Sequence, residues 1–167
     1  MADFQKALAF VLPHEGGYEP PAPDDPGGET KFGISKKFAA QQPGYADLDI
    51  KNLTVEQAAE IYGKFFWHFG EVADQDLANK MLDVCVNLGP HGGVRLIEQA
   101  LVIFFPGQGI AIDGVWGPHD LELVNRCDPK ALLVEIRARQ AQRYCQDMRK
   151  NPAETPLALG LFRRAAL

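Results

Sequence analysis

The chain has 167 residues, 46% hydrophobic and 23% charged, with a net charge of −5, an ordinary globular composition that buries a core without staples. Its three cysteines, Cys85, Cys127 and Cys145, are odd in number and widely spaced, which excludes a disulfide framework and a cysteine metal site. No stretch is apolar enough for a bilayer span, and the early apolar run Ala7 to Leu12 is too short for a secretory leader.

In chain order, residues 3–15 read as a helix. Asp3 caps it, and Phe4, Leu8, Val11 and Leu12 repeat at helical spacing. Pro13 removes a backbone donor and loosens the last turn. Glu15 then stands at the helix end, stopped by Gly16-Gly17. Residues 16–31 hold four glycines and four prolines, which predicts a loop or a small hairpin. Ser35 caps a short helix to about Gln42. Thr54-x-x-Gln57 is a capping box, and the helix it opens carries Ala58, Ile61, Tyr62, Phe65, Phe66 and Phe69 on one stripe. Residues 76–88 form a buried central helix, ended by Gly89-Pro90. A fifth helix runs from Gly92 or Gly93 to about Phe104. The turn Asp113 to Gly117 leads into a short helix at Pro118. Asp128-Pro129 opens the longest helix, to about Arg149, and a short helical tail follows from Pro156. No alternating strand is evident, so the expectation is a mainly α chain of about eight helices.

Charge is uneven along the chain. Residues 1–129 carry 9 basic and 19 acidic side chains, and residues 130–167 carry 8 and 3. The basic tail reads as the solvated face of a terminal helix, with contact to an anionic polymer as the alternative.

The segment His14 to Ile34, HEGGYEPPAPDDPGGETKFGI, concentrates the chemistry. Glycoside hydrolysis needs an acid to protonate the leaving oxygen, and often a second carboxylate as base or nucleophile. Glu15 follows an apolar helical stripe, so one side of it faces a desolvated wall. Asp24 and Asp25 come nine and ten residues later, and Thr30 can bond a water or a carboxylate. By spacing alone, a helix-end glutamate followed by an Asp-rich loop is more often surface decoration than a catalytic site.

HEGGY followed by DDPGGETKFGI resembles the N-terminal signature of glycoside hydrolase family 108. Three later segments agree with it: Ile61-Tyr62-x-x-Phe65-Phe66-Trp67, Asp83-x-x-x-Asn87-x-Gly89-Pro90 and Ile112 to Pro118. The resemblance implies a lysozyme-like, mainly helical fold with a Gly/Pro-rich catalytic loop. It implies an N-acetylmuramidase cutting peptidoglycan, of phage or prophage type, with no cofactor and no metal. Residues 1–93 correspond to the muramidase region, and 94–167 to a helical lobe resembling a peptidoglycan-binding region. Glu15 falls on the family's catalytic glutamate. For the partner, the DPGG motif points to Asp25. The Glu-Asp-Thr pattern of phage lysozymes instead falls on Glu15, Asp24 and Thr30, so both aspartates stay in play.

Tyr18 and Trp67 suit stacking on sugar rings, with packing as the alternative for each. Asn87 suits an N-acetyl contact, or is a satisfied buried amide. Asp83 reads as a structural partner, and His14 as structural. His68, His91 and His119 lack metal-ligand spacing. The rival functions are a lytic transglycosylase using Glu15 alone, a chitinase or chitosanase on the same scaffold, and a catalytically dead wall-binding protein. The expected protein is a monomer whose partner is peptidoglycan, with no nucleic acid and no stable membrane insertion. It accumulates in the cytoplasm and reaches the wall through a holin-type lesion.

Overall fold

The computed structural model describes residues 1–21 and 27–167. The N-terminal helix α1 (Phe4–Val11) begins where the Asp3 side chain accepts from Gln5 N and Lys6 N, and it buries Ala7, Leu8 and Val11. Pro13 acts as expected. The α-helix stops at Val11, a 3₁₀ turn takes Leu12–His14, and Glu15 follows with extended backbone. A shorter repeat tolerates the missing N–H better than another α turn.

Two strands, β1 (Thr30–Lys31) and β2 (Ile34–Ser35), pair antiparallel in the register Thr30↔Ser35 and Lys31↔Ile34. Glu19 adds an isolated bridge to Thr30. A strand of two residues is too short for alternation to show in a sequence. The hairpin also sits at the far edge of the Gly/Pro-rich loop rather than inside it.

Helix α2 (Lys36–Ala40) is capped by Ser35, and α3 (Val55–Phe65) by the complete Thr54–Gln57 capping box. The aromatic stripe outruns α3. Phe69 lies past its end yet is fully buried. Helix α4 (Gln75–Leu88), capped by Asp74, is buried along every residue from Leu77 to Val86. It packs against α1, α5 and α7, and is the centre of the molecule.

Helix α5 (Pro90–Phe104) starts earlier than the glycines at 92 and 93 suggest. Gly89 makes the corner at φ +78°, and Pro90 then occupies the first turn, where its missing N–H costs nothing. Helices α4 and α5 meet backbone to backbone, since a Cβ at Gly93 would lie 2.4 Å from Cys85 Cα. Helix α6 (Pro118–Arg126) follows the 113–117 turn. The long α7 (Pro129–Lys150), capped by Asp128, packs on α5 and α4. A 3₁₀ segment (Pro152–Leu157) leads to α8 (Ala158–Ala166), which folds back along α7. The fold is mainly α, as expected, and one buried apolar cluster runs from Ala7 to Ile136.

Candidate active site

Glu15 is placed by three separated pieces of chain. The 3₁₀ turn ends at its N–H, which donates to Leu12 O at 3.2 Å. The β1–β2 turn closes over it, with Phe32 N donating to Gly16 O at 3.3 Å. Phe32 and Gly33 are both left-handed, at φ +49° and +66°. A non-glycine there is strained, and Phe32 is held by the Tyr62 hydroxyl, which donates to its carbonyl. A Cβ at Gly33 would stand 2.5 Å from Glu15 Oε2 and 3.2 Å from Val86 Cγ1. The carboxylate is therefore wedged between the hairpin turn and α4, with its side chain 6% exposed.

The third piece comes from the far end of the chain. Arg164 of α8 donates through Nη2 to Glu15 Oε1 at 2.5 Å. Its Nε donates to Asp83 Oδ1 at 2.9 Å. Asp83 Oδ2 accepts from Lys80 Nζ at 2.9 Å, and the same ammonium donates to the carbonyl of Arg164 at 2.8 Å. Lys80 and Asp83 are both fully buried. The result is a connected chain of two carboxyl groups and two cations, Glu15–Arg164–Asp83–Lys80. Burial opposes the charge on Arg164, but Asp83 and Glu15 outweigh it and raise its pKa. Burial pulls the Lys80 pKa down against the pull of Asp83. Burial also raises the hydroxyl pKa of Tyr62 and of Tyr144, and the Glu15 charge adds to both. Both hydroxyls accordingly remain neutral donors beside the site.

The other expected residues fall in different places. Asp24 and Asp25 lie outside the described residues. Thr30 is on β1, its hydroxyl donating a long bond to Gly28 O at 3.5 Å, and its backbone paired with Glu19. Tyr18 donates to Glu29 Oε2 at 3.0 Å and is half-buried. Asn87 accepts from Tyr144 Oη at 2.7 Å and from Gln140 Nε2 at 3.4 Å. Its carbonyl oxygen is thus already satisfied by α7. Trp67 packs tilted against Phe4 and edge-on against Phe69, with centroids 5.5 and 5.8 Å apart, and edges a cavity of about 500 Å³ shared with Trp116 and Leu121. A larger cleft of about 660 Å³ opens between Phe38, Phe65, Pro90 and Val115. Glu15 does not line it.

Arg164 was not legible as a site residue, because the basic tail reads as a solvated face. The available signal lay in α4. Lys80 and Asp83 stand inside an apolar helix, and buried charges there require partners.

With that geometry in place, residues 8–89 match the family model described as Glycosyl hydrolase 108. Among solved structures, that of Brucella abortus SagA is similar, with 26% identity, a TM-score of 0.67, and coverage of 98% of this chain and 93% of that one. Among curated proteins none matches.

Proposed function

We propose that this chain, a glycoside hydrolase whose residues 8–89 match the Glycosyl hydrolase 108 family model, acts on peptidoglycan as an N-acetylmuramidase with Glu15 as its general acid. The bond is the β-1,4 linkage from N-acetylmuramic acid to N-acetylglucosamine. Glu15 in its acid form gives its proton to the bridging oxygen. The bond from the anomeric carbon to that oxygen breaks, and its electron pair goes to the oxygen. Positive charge spreads over the anomeric carbon and the ring oxygen. Water then adds to the anomeric carbon and loses a proton to a carboxylate, assigned to Asp24 or Asp25, with Thr30 orienting the water. Tyr18, Asn87 and Trp67 are assigned to the walls of the glycan site.

The observation that supports this reading best is the setting of Glu15. It is almost fully shielded, wedged against a glycine, and oriented by a guanidinium. A surface carboxylate at a helix end has none of these constraints. We assign the biological role to phage-type lysis of the host wall, with release through a holin, on the strength of the HEGGY and DPGG motifs. No described helix is long and apolar enough to cross a membrane. Residues 94–167 are assigned wall contact through the arginine-rich face of α7.

The test is digestion of purified peptidoglycan by wild type and Glu15→Gln, with mass spectrometry of the borohydride-reduced products. Wild type should release reducible muramic acid ends, and Glu15→Gln should be slower by about 10²- to 10⁴-fold, the usual worth of a general acid. Anhydro-muramic ends would show a lytic transglycosylase instead. Full activity in Glu15→Gln would remove Glu15 from the reaction.

A further inference from the structure

We infer that the C-terminal helix α8 is part of the active site, with Arg164 as the residue that positions Glu15 and stabilises the carboxylate left when its proton is transferred. This rests on Glu15 being the acid.

The geometry points one way. Arg164 reaches Glu15 across 149 positions of sequence. Its fork is split between two carboxylates, Nη2 to Glu15 and Nε to Asp83. Only a guanidinium presents rigid donors in two directions from one plane, and a lysine ammonium is a single point charge. Asp83 is fully buried and anchored by Lys80, so it acts as a fixed post that sets the plane of Arg164. Lys80 also holds the Arg164 carbonyl, so one ammonium ties both the side chain and the backbone of α8 to α4. Arg137 of α7 donates to the carbonyl of Leu167 and secures the end of the chain. These polar contacts converge on the docking of α8, whose Leu159 and Phe162 remain exposed and whose one buried residue is Ala165.

The chemical consequence concerns the rate. An acid donates better when its conjugate base is stabilised, and Arg164 is in contact with the oxygen that becomes charged. Fixing Oε1 also turns Oε2 toward the hairpin turn, where the Gly33 contact confines it. Among the described residues, the charged and titratable groups facing this carboxylate are Arg164 on α8, Tyr62 on α3 and Tyr144 on α7. Asp83 and Lys80 of α4 stand behind Arg164, and the hairpin presents backbone at Phe32 and Gly33. Removing the Arg164 cation therefore leaves the carboxyl unoriented and the charge that develops on it uncompensated.

The experiment is steady-state hydrolysis of solubilised, uncross-linked glycan strands from pH 4 to 9 by the full-length wild type, Arg164→Gln, Arg164→Lys, Arg163→Gln and Glu15→Gln. Melting curves accompany each variant. For Arg164→Gln, kcat should fall about ten- to a hundredfold, the scale of a misplaced catalytic group. KM should stay within about threefold, so the loss falls on kcat. Arg164→Lys keeps the charge but not the two-directional fork, and should recover only part of kcat. Arg163→Gln, on the exposed side of the same helix, should match wild type. A wild-type kcat in Arg164→Gln would overturn the inference. So would a rise in kcat, which would make α8 an inhibitory latch. If Arg164→Gln does not fold, Arg164→Lys decides, and full activity in it would overturn the inference. Hydrolysis surviving in Glu15→Gln would instead sink the assignment of the acid, independently of Arg164.

Discussion

At position 33 there is no room for a side chain beside Glu15. A Cβ would stand 2.5 Å from Oε2, and φ is +66°, where an L-residue pays a steric penalty. Gly33→Ala should destabilise the protein by about 1–2 kcal/mol, the cost of a left-handed L-residue. Its rate should drop by about tenfold or more, because Glu15 must swing away. Urea midpoints and wall-digestion rates measured on the same preparation check this. A rate loss no larger than the stability loss can explain would show that Gly33 serves the turn alone. At this scale the sequence was informative where the signal is local, as with Glu15 at a helix end before two glycines. It was poor where a residue's work depends on a distant partner. Asn87 and Asp83 look alike as polar residues in an apolar helix. Only their neighbours, Tyr144 and Gln140 for one and Arg164 and Lys80 for the other, separate them.

Among the elements, the α4–α5 corner is the tightest joint. Gly89 turns the chain, Pro90 restarts the helix, and Gly93 lets the two backbones touch at Cys85. Gly93→Ala would put a methyl group 2.4 Å from a Cα, with no flexible side chain to yield. It should cost about 3 kcal/mol, the upper part of the usual overpacking range. The measurement is chemical denaturation with circular dichroism, and a loss below about 0.5 kcal/mol would mean that α5 can shift freely. Caps were legible because their signals are local: Asp3, Ser35, Thr54–Gln57 and Asp128 each bond a backbone N–H within three residues. The start of α5 was not, because two glycines look like a break. Their purpose here is the approach of another helix, which no local window contains.

For the whole molecule, burial of charge sets how stability follows pH. Glu98 of α5 is 1% exposed and accepts from Gly114 N at 2.9 and 3.1 Å through its two oxygens. It thereby pins the 113–117 turn, in which Gly114 is left-handed at φ +80°. Burial raises its pKa, the Gly114 bonds pull it back, and the charges of Asp120 and Asp113 push it up again. A raised folded value means that the folded state holds this proton more tightly than the unfolded chain does. That stability is fully present below the ordinary glutamate range and fades as pH rises through the folded value. Glu98→Gln does not titrate, so the melting temperature of wild type should fall relative to the mutant as pH rises above the ordinary glutamate range. Thermal melts across that range check it, and a constant difference would show that Glu98 ionises equally in both states.

The sequence by itself determined the helical class, most helix boundaries and the resemblance to a glycoside hydrolase family. Each rests on local spacing, on caps, or on a compact motif whose residues are neighbours in the chain. Only the tertiary structure decided what surrounds Glu15. The hairpin turn, the buried Lys80–Asp83 pair of α4 and Arg164 of α8 converge on Glu15 from positions far apart in sequence. A guanidinium in a basic terminal helix looks the same whether it faces water or a carboxylate. The difference comes from the return of α8 along α7 to a pair of charges that the core cannot bury unpartnered.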